Sequence, residues 1–292
     1  MKDIVSSLVK SKTGLIGLII VLLIVLSMLF SPLITSWDPN EQDIMNKYQP
    51  PLWSLSQEEK AALSGSDAPA HLLGTDQLGR DTLARLLYGS RITLLVAFGG
   101  TIFGVLIGVT LGAVSGYYGK WVDAVIMRLV DIQLSFPFTL LALFMAAVLG
   151  HGIRNVIIIA AISSWVRYAR LVRGEFLSLK EMEYVEAIRA LGGKNGRIIF
   201  RHILPNVISP IIVLATLELA KIILMEASLS YLGMGVPVTI PTWGRMLSEA
   251  RTTMTSSPWL AILPGLMISF TVLGVNLLGD WLRDYLDPKL DV

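Results

Sequence analysis

Glu218 and Lys221 stand three residues apart in an otherwise apolar run, a spacing that lets them pair on one face of a helix. Each charge at the centre of a membrane helix costs about 2.5–3.5 kcal/mol, so such a pair must face protein or water rather than lipid. Two uses fit. The pair lines a path touched by a zwitterionic solute, or it is buried against another element, with Arg128 and Asp131 as candidate partners. Glu226, toward the far end of the same run, carries the same ambiguity. Other chemistry is missing. The chain has no cysteine, and its three histidines (His71, His151 and His202) are scattered. It has no H-E-x-x-H, no Ser/His/Asp constellation and no G-x-x-x-x-G-K-[ST]; Gly192-Gly193-Lys194-Asn195-Gly196 has neither the spacing nor a preceding strand. No catalytic residue, metal site or resident cofactor is expected in this chain.

The elements that position these residues are membrane helices. Hydrophobic residues make up 53% of the 292 positions and charged residues 16%, with a mean hydropathy of +0.65, whereas soluble domains average about 25% charged. A net charge of +2 gives no reason to expect a nucleic-acid partner. Runs long enough to span, about 20 residues, cover Gly14 to Ile34, Ile92 to Gly116, Ala124 to Gly150, Asn206 to Met225 and Trp259 to Gly279. Asn155 to Val166 is short, but charge bias argues that it crosses. Between Arg167 and Arg201 lie eight basic residues (Arg167, Arg170, Arg173, Lys180, Arg189, Lys194, Arg197 and Arg201). They share a side with Lys2, Lys10 and Lys12 only if that run spans, as the positive-inside tendency requires. The expectation is an all-α integral membrane protein of six transmembrane helices with both termini cytoplasmic. Residues 1–35 hold the N-terminus and first helix, 36–90 an extracytoplasmic loop, and 91–292 a five-helix core.

Within the core, the stretch from Glu183 to Asn206 is polar, charged and broken by glycine. Read as a helix, it puts Tyr184, Val185, Ile188 and Leu191 on one face and Glu183, Glu186 and Arg189 on the other. Gly192-Gly193 ends that helix, Asn195 is placed to cap a second short one from Gly196 to Leu204, and Pro205 opens the next span. Periodicity leaves two readings open: a rigid knob for a docking partner, or a connector lying on lipid headgroups.

The same stretch carries a resemblance. Glu186, Ala187 and Gly192, followed by Leu204 and Pro205, resemble the EAA loop of membrane subunits of ATP-binding-cassette importers, with Ile188 where the pattern has a second Ala. Four further strings resemble the "C"-type permease of the dipeptide/oligopeptide/nickel branch: H-L-L-G-T-D-Q-L-G-R-D from His71, E-A-S-L-S-Y-L-G-M-G from Glu226, P-T-W-G-R-M-L from Pro241 and N-L-L-G-D-W-L-R-D-Y-L-D-P from Asn276. The resemblance implies a type I importer permease fold with a cytoplasmic coupling loop at about 171–205, in which Tyr184, Glu186, Ala187, Gly192, Leu204 and Pro205 meet a separate ATPase. It also implies a prokaryotic inner-membrane setting. The implied partners are a homologous second permease, two ATPase subunits holding ATP and magnesium, an extracytoplasmic binding protein and lipid. Peptides are the implied cargo, with nickel chelates, glutathione or oligosaccharides as alternatives. Two rival classes remain. An ion-gradient-driven transporter should show internal repeats and interrupted helices, neither of which is evident in the sequence. A membrane scaffold or receptor would use the basic loop only to bind a partner.

Two polar loops complete the reading. Ser56-Gln57-Glu58-Glu59 resembles a capping box, and Asp81 to Tyr88 suggests a further short helix before the second span. In the loop from Gly235 to Pro258, Trp243 and Arg245 are the residue types that anchor interfaces, which makes them candidate contacts for the binding protein.

Overall fold

The computed structural model describes residues 2–57 and 71–286, so Glu58 and Glu59 of the expected capping box and the final Asp287-Pro288 lie outside the described residues. The described chain is helical. Helix α1 (Lys2–Lys10) leads into α2 (Lys12–Leu29), whose first turn is capped by Ser11, its hydroxyl accepting from the Gly14 amide at 3.1 Å. A break at Phe30 separates the short α3 (Ser31–Ile34), which carries Pro32 in its first turn. The expected first span is therefore α2, with α3 as a bent appendage.

Helix α4 (Thr82–Tyr118) absorbs the separate helix expected before the second span. Asp81 caps it, its carboxylate accepting from the Ala84 amide at 2.6 Å, and nothing after that cap breaks the helix until Gly119, at φ 63°. The third expected span is two helices, α5 (Lys120–Leu134) and α6 (Phe138–Leu149), at 91° to each other. Pro137 accounts for the break, because the residue before a proline is pushed out of the helical region. Helix α7 (Ile153–Leu179) is longer than its apolar stretch suggested. After α8 (Glu183–Ala190), the three-residue α9 (Asn195–Arg197) runs through a π-helical turn, Ile198–Ile203, straight into α10 (Leu204–Tyr231). The short α11 (Trp243–Ala250) and the long α12 (Trp259–Leu286) complete the order. Among the described residues, five helices are long and apolar enough to cross a membrane, and the α5–α6 pair makes a sixth crossing if it is one bent span.

Contacts sort the connections into two ends. At one end Gly14 packs on Trp281, Lys180 Nζ donates to the Gly116 carbonyl (3.0 Å) and Tyr117 Oη donates to Asn195 Oδ1 (2.9 Å). At the other, the Gly152 amide donates to the Gly235 carbonyl (3.3 Å) and the Trp243 indole to the Leu86 carbonyl (3.0 Å). The Glu183–Pro205 stretch thus lies with the starts of α2 and α5 and the end of α12, opposite the loop that holds α11.

The α4–α7 seam is the most extensive helix contact in the bundle. Gly100, Gly104, Gly108, Gly112 and Gly116 recur every fourth residue, which puts them on one stripe of α4. Against them lie Ala160, Ser164, the Trp165–Ala169 turn, Val172 and Phe176 of α7. Lipid tails are as apolar as leucine, so helices in a membrane associate by close van der Waals packing at small residues. Here the stripe leaves no room for a side chain. A methyl at Gly108 would stand 2.6 Å from Tyr168 Cβ, and one at Gly112 would stand 2.5 Å from the Ala169 carbonyl oxygen.

Candidate functional site

The loop is mounted on this seam. Val185 of α8 and Ile198 and Ile203 of the π turn are fully buried, and they pack with Ala113 of α4, Val172 and Phe176 of α7, and Val207 of α10. Gly192 adopts φ +83°, and the Gly193 amide donates to the Ile188 carbonyl at 3.0 Å, closing the end of α8. A side chain at Gly193 would collide with that same carbonyl, 2.8 Å away. One glycine supplies the left-handed turn and the other supplies space. The turn is a fixed corner rather than a free hinge.

Three expectations about the loop change. Leu191 is 88% exposed and Tyr184 is exposed as well, so the buried face of α8 is Val185 with Ile188 partly covered. Tyr184 and Leu191 fall outside that face because the helix meets its neighbours along a narrower contact than an eight-residue periodicity suggests. Asn195 does not cap a helix; Lys194 holds that position, and the Asn195 side chain is engaged by Tyr117. The second short helix does not exist as a separate element, because the π turn passes its backbone into α10 and Pro205 falls in a first turn, where no amide is needed. Of the coupling residues singled out above, Tyr184, Glu186, Ala187, Gly192 and Pro205 are exposed and Leu204 is half-buried. Phe200 adds a 71% exposed aromatic ring beside them.

At the other end, Trp243 overturns its expected role as a docking contact. It is fully buried, and its indole N–H donates to the Leu86 carbonyl. Its Thr242 cap turns α11 inward so that the ring fills the junction of α4, α10 and α11. Trp243→Phe should cost about 2 kcal/mol of stability, from the lost hydrogen bond and the space left by the smaller ring. A thermal melt of the detergent-solubilised protein checks this.

Arg245 belongs to a clamp that was not anticipated. Asp76 accepts from Arg80 Nε (2.7 Å) and from Arg85 Nη1, while Glu249 accepts from Arg80 Nη2 (2.8 Å), Arg85 Nη2 (2.9 Å) and Arg245 Nε (3.2 Å). His71 Nδ1 and Asp81 Oδ2 stand 2.8 Å apart beside it. The clamp fastens the 71–81 loop and the start of α4 to α11. Its partners lie up to 169 positions apart, which no local pattern reveals.

Inside the membrane, the Glu218–Lys221 pair exists, with Nζ to Oε1 at 2.8 Å. It has a third member: Arg167 Nη1 donates to Glu218 Oε2, and its guanidinium lies 4.8 Å from the centre of the Phe138 ring. The candidate partners drop out, since Asp131 pairs with Arg170 (2.8 Å) and Arg128 points outward on α5. Glu226 is fully buried and accepts from Thr93 Oγ1 (3.1 Å) and Ser230 Oγ (2.7 Å), joining α10 to α4 rather than facing a path. Beside the triad, two open recesses share Leu171 and Leu214 and form one cleft between α7 and α10. The larger, about 710 Å³, reaches Glu175, Asn206 and Arg283 at the loop end; the smaller, about 370 Å³, ends at Arg167.

The bundle thus holds a polar loop at one end, a fastened cap at the other and charges inside the span. A family described as "binding-protein-dependent transport system inner membrane component" matches residues 104–292. The chain belongs to this family of ATP-binding-cassette importer permeases. A second match, to the N-terminal transmembrane domain of oligopeptide transport permease C, covers residues 1–51 of the permease. The permease is 42% identical over 289 residues to the dipeptide transport system permease protein DppC of Alkalihalophilus pseudofirmus, covering 99% of this chain and 90% of the relative. It is 37% identical to the oligopeptide transport system permease protein OppC of Bacillus subtilis, with the same coverage. The glutathione transport system permease protein GsiD of Pectobacterium atrosepticum is 46% identical over 228 residues, 78% of this chain and 76% of the relative. The fold resembles an inward-facing structure of the MetNI methionine transporter at a TM-score of 0.54 and 20% identity, covering 69% of this chain and 96% of that one. The type I importer permease fold expected from the sequence is the fold observed. The permease is a multi-pass inner-membrane transport subunit rather than an enzyme, and it works with ATPase and substrate-binding partners.

Proposed function

We propose that this permease, paired with a homologous second permease, forms half of a path for di- and oligopeptides and is driven by two ATPase subunits docked on the cytoplasmic loop 183–205. The single observation that carries the reading is the loop itself. A surface of Tyr184, Glu186, Leu191 and Phe200 is presented to solvent while Val185, Ile198 and Ile203 seat it immovably on α4 and α7. Such a surface transmits a displacement instead of absorbing it. The basic residues of this end support a cytoplasmic setting for it and for both termini. The clamped cap then faces the binding protein, with Arg245, its more exposed member, as the contact. Peptide as cargo follows from the dipeptide and oligopeptide relatives. Glutathione is the second reading, favoured by the relative of that name at 46% identity.

Proteoliposomes holding both permeases and the ATPases, with binding protein on the opposite face, test this. Peptide uptake should require ATP on the loop side and should not respond to a proton gradient. Uptake driven by the gradient alone would sink the proposal.

A further inference from the structure

Glu218 lies near the middle of α10 and is fully buried, yet it is one carboxylate facing two cations. The site keeps one excess positive charge. Neither cation is sealed off: the Arg167 side chain is 26% exposed and that of Lys221 is 51% exposed. A half-exposed ammonium at this depth is costly against lipid, so the face it occupies belongs to a watered or protein-lined space. The α7–α10 cleft ends at Arg167, and Lys221 lies two turns along α10 from Leu214, on the face that lines both recesses. Glu218 holds both cations, and the Phe138 ring lies against the Arg167 guanidinium. Lys221 gives one of its three N–H groups to Glu218, and Arg167 gives one of its five. The remaining donors and the surplus charge suit an anion small enough for a fork of guanidinium and ammonium.

We propose that Arg167 and Lys221, held by Glu218, form a carboxylate subsite within the translocation path, which takes the C-terminal carboxylate of a peptide at mid-membrane. This rests on the peptide-import reading. A carboxylate leaving bulk water meets charge-assisted hydrogen bonds at the depth where it would otherwise be unsolvated. Glu218 prevents the site from being a trap: it leaves a surplus of one charge rather than two, so that the peptide is held weakly enough to move on.

The test is ATP-driven uptake of one dipeptide and of its C-terminal amide, which has the same shape without the charge, by wild type, Lys221→Gln and Lys221→Arg in the reconstituted complex. The binding protein has its own preference, but it is common to all three and cancels when each variant is divided by wild type. Lys221→Gln should lower uptake efficiency for the free acid about tenfold, the loss of one charge-assisted bond, and leave the amide within about twofold. Lys221→Arg should keep the discrimination. Equal losses for acid and amide would show the cation to be a packing residue and would overturn the subsite; so would no loss for either. If wild type moves neither dipeptide while importing another solute, the peptide reading fails first and takes the subsite with it.

Discussion

Leucine at position 108 should push α4 and α7 apart and lower the extractable yield of folded permease several-fold. The backbone of Trp165 and the Cβ of Tyr168, at 2.6 Å from the added carbon, are parts of a helix and cannot turn aside as a flexible side chain would. Overpacking of a tight core costs about 1–3 kcal/mol and occasionally more. This seam also seats the loop, through Ala113, Val172 and Phe176, so the loss spreads to the coupling surface. Against a typical total of about 5–15 kcal/mol, an upper-range cost removes a large share of the stability and should lower abundance several-fold. Gly174→Leu on α7 is the matched control, because nothing lies within 4 Å of a side chain there. Detergent-extracted yield and melting temperature give the answer. A Gly108→Leu protein that accumulates and melts like wild type would show that the glycine stripe is not the fastening.

The second large effect should come from the loop surface. Leu191→Asp and Glu186→Lys alter exposed positions, so the isolated permease should melt as wild type does. Surface changes of this kind usually lie within about 0.5 kcal/mol. In the assembled importer, Leu191 has the character of an interface anchor, a large apolar side chain 88% exposed at the tip of α8. Putting a carboxylate where this apolar side chain meets a partner should cost about 2 kcal/mol or more of association, roughly a thirtyfold weaker interface. ATPase co-purification and peptide uptake should fall together while membrane insertion is unaffected. Uptake that survives both substitutions would remove the loop from the coupling path.

The sequence made the membrane helices and the loop readable because both rest on local signals, an apolar run or a fixed motif spacing. It also located the Glu218–Lys221 pair, since i, i+3 neighbours meet on any helix. What it did not yield depends on which helices touch. Arg167 reaches Glu218 across 51 positions, and Arg80 reaches Glu249 across 169. Trp243 looked like a docking residue because tryptophan favours interfaces, but a large ring is as well suited to a buried junction, and only the packing of α11 decides between them. The glycine stripe was legible in principle, for its period of four is written in residues 100–116. Pro137 stands inside the third span, yet the size of the bend it permits follows from the neighbours of α5 and α6, not from the proline itself.

The unbroken passage from α9 through the π turn into α10 ties two regions that look separate on paper. Arg201 and Lys221 belong to one shaft and are twenty residues apart, about 30 Å along its axis. Whatever grips the shaft at its foot also steers the ammonium near its waist. A nucleotide-driven stroke would then change the grip on cargo by leverage, with no relay of side chains in between.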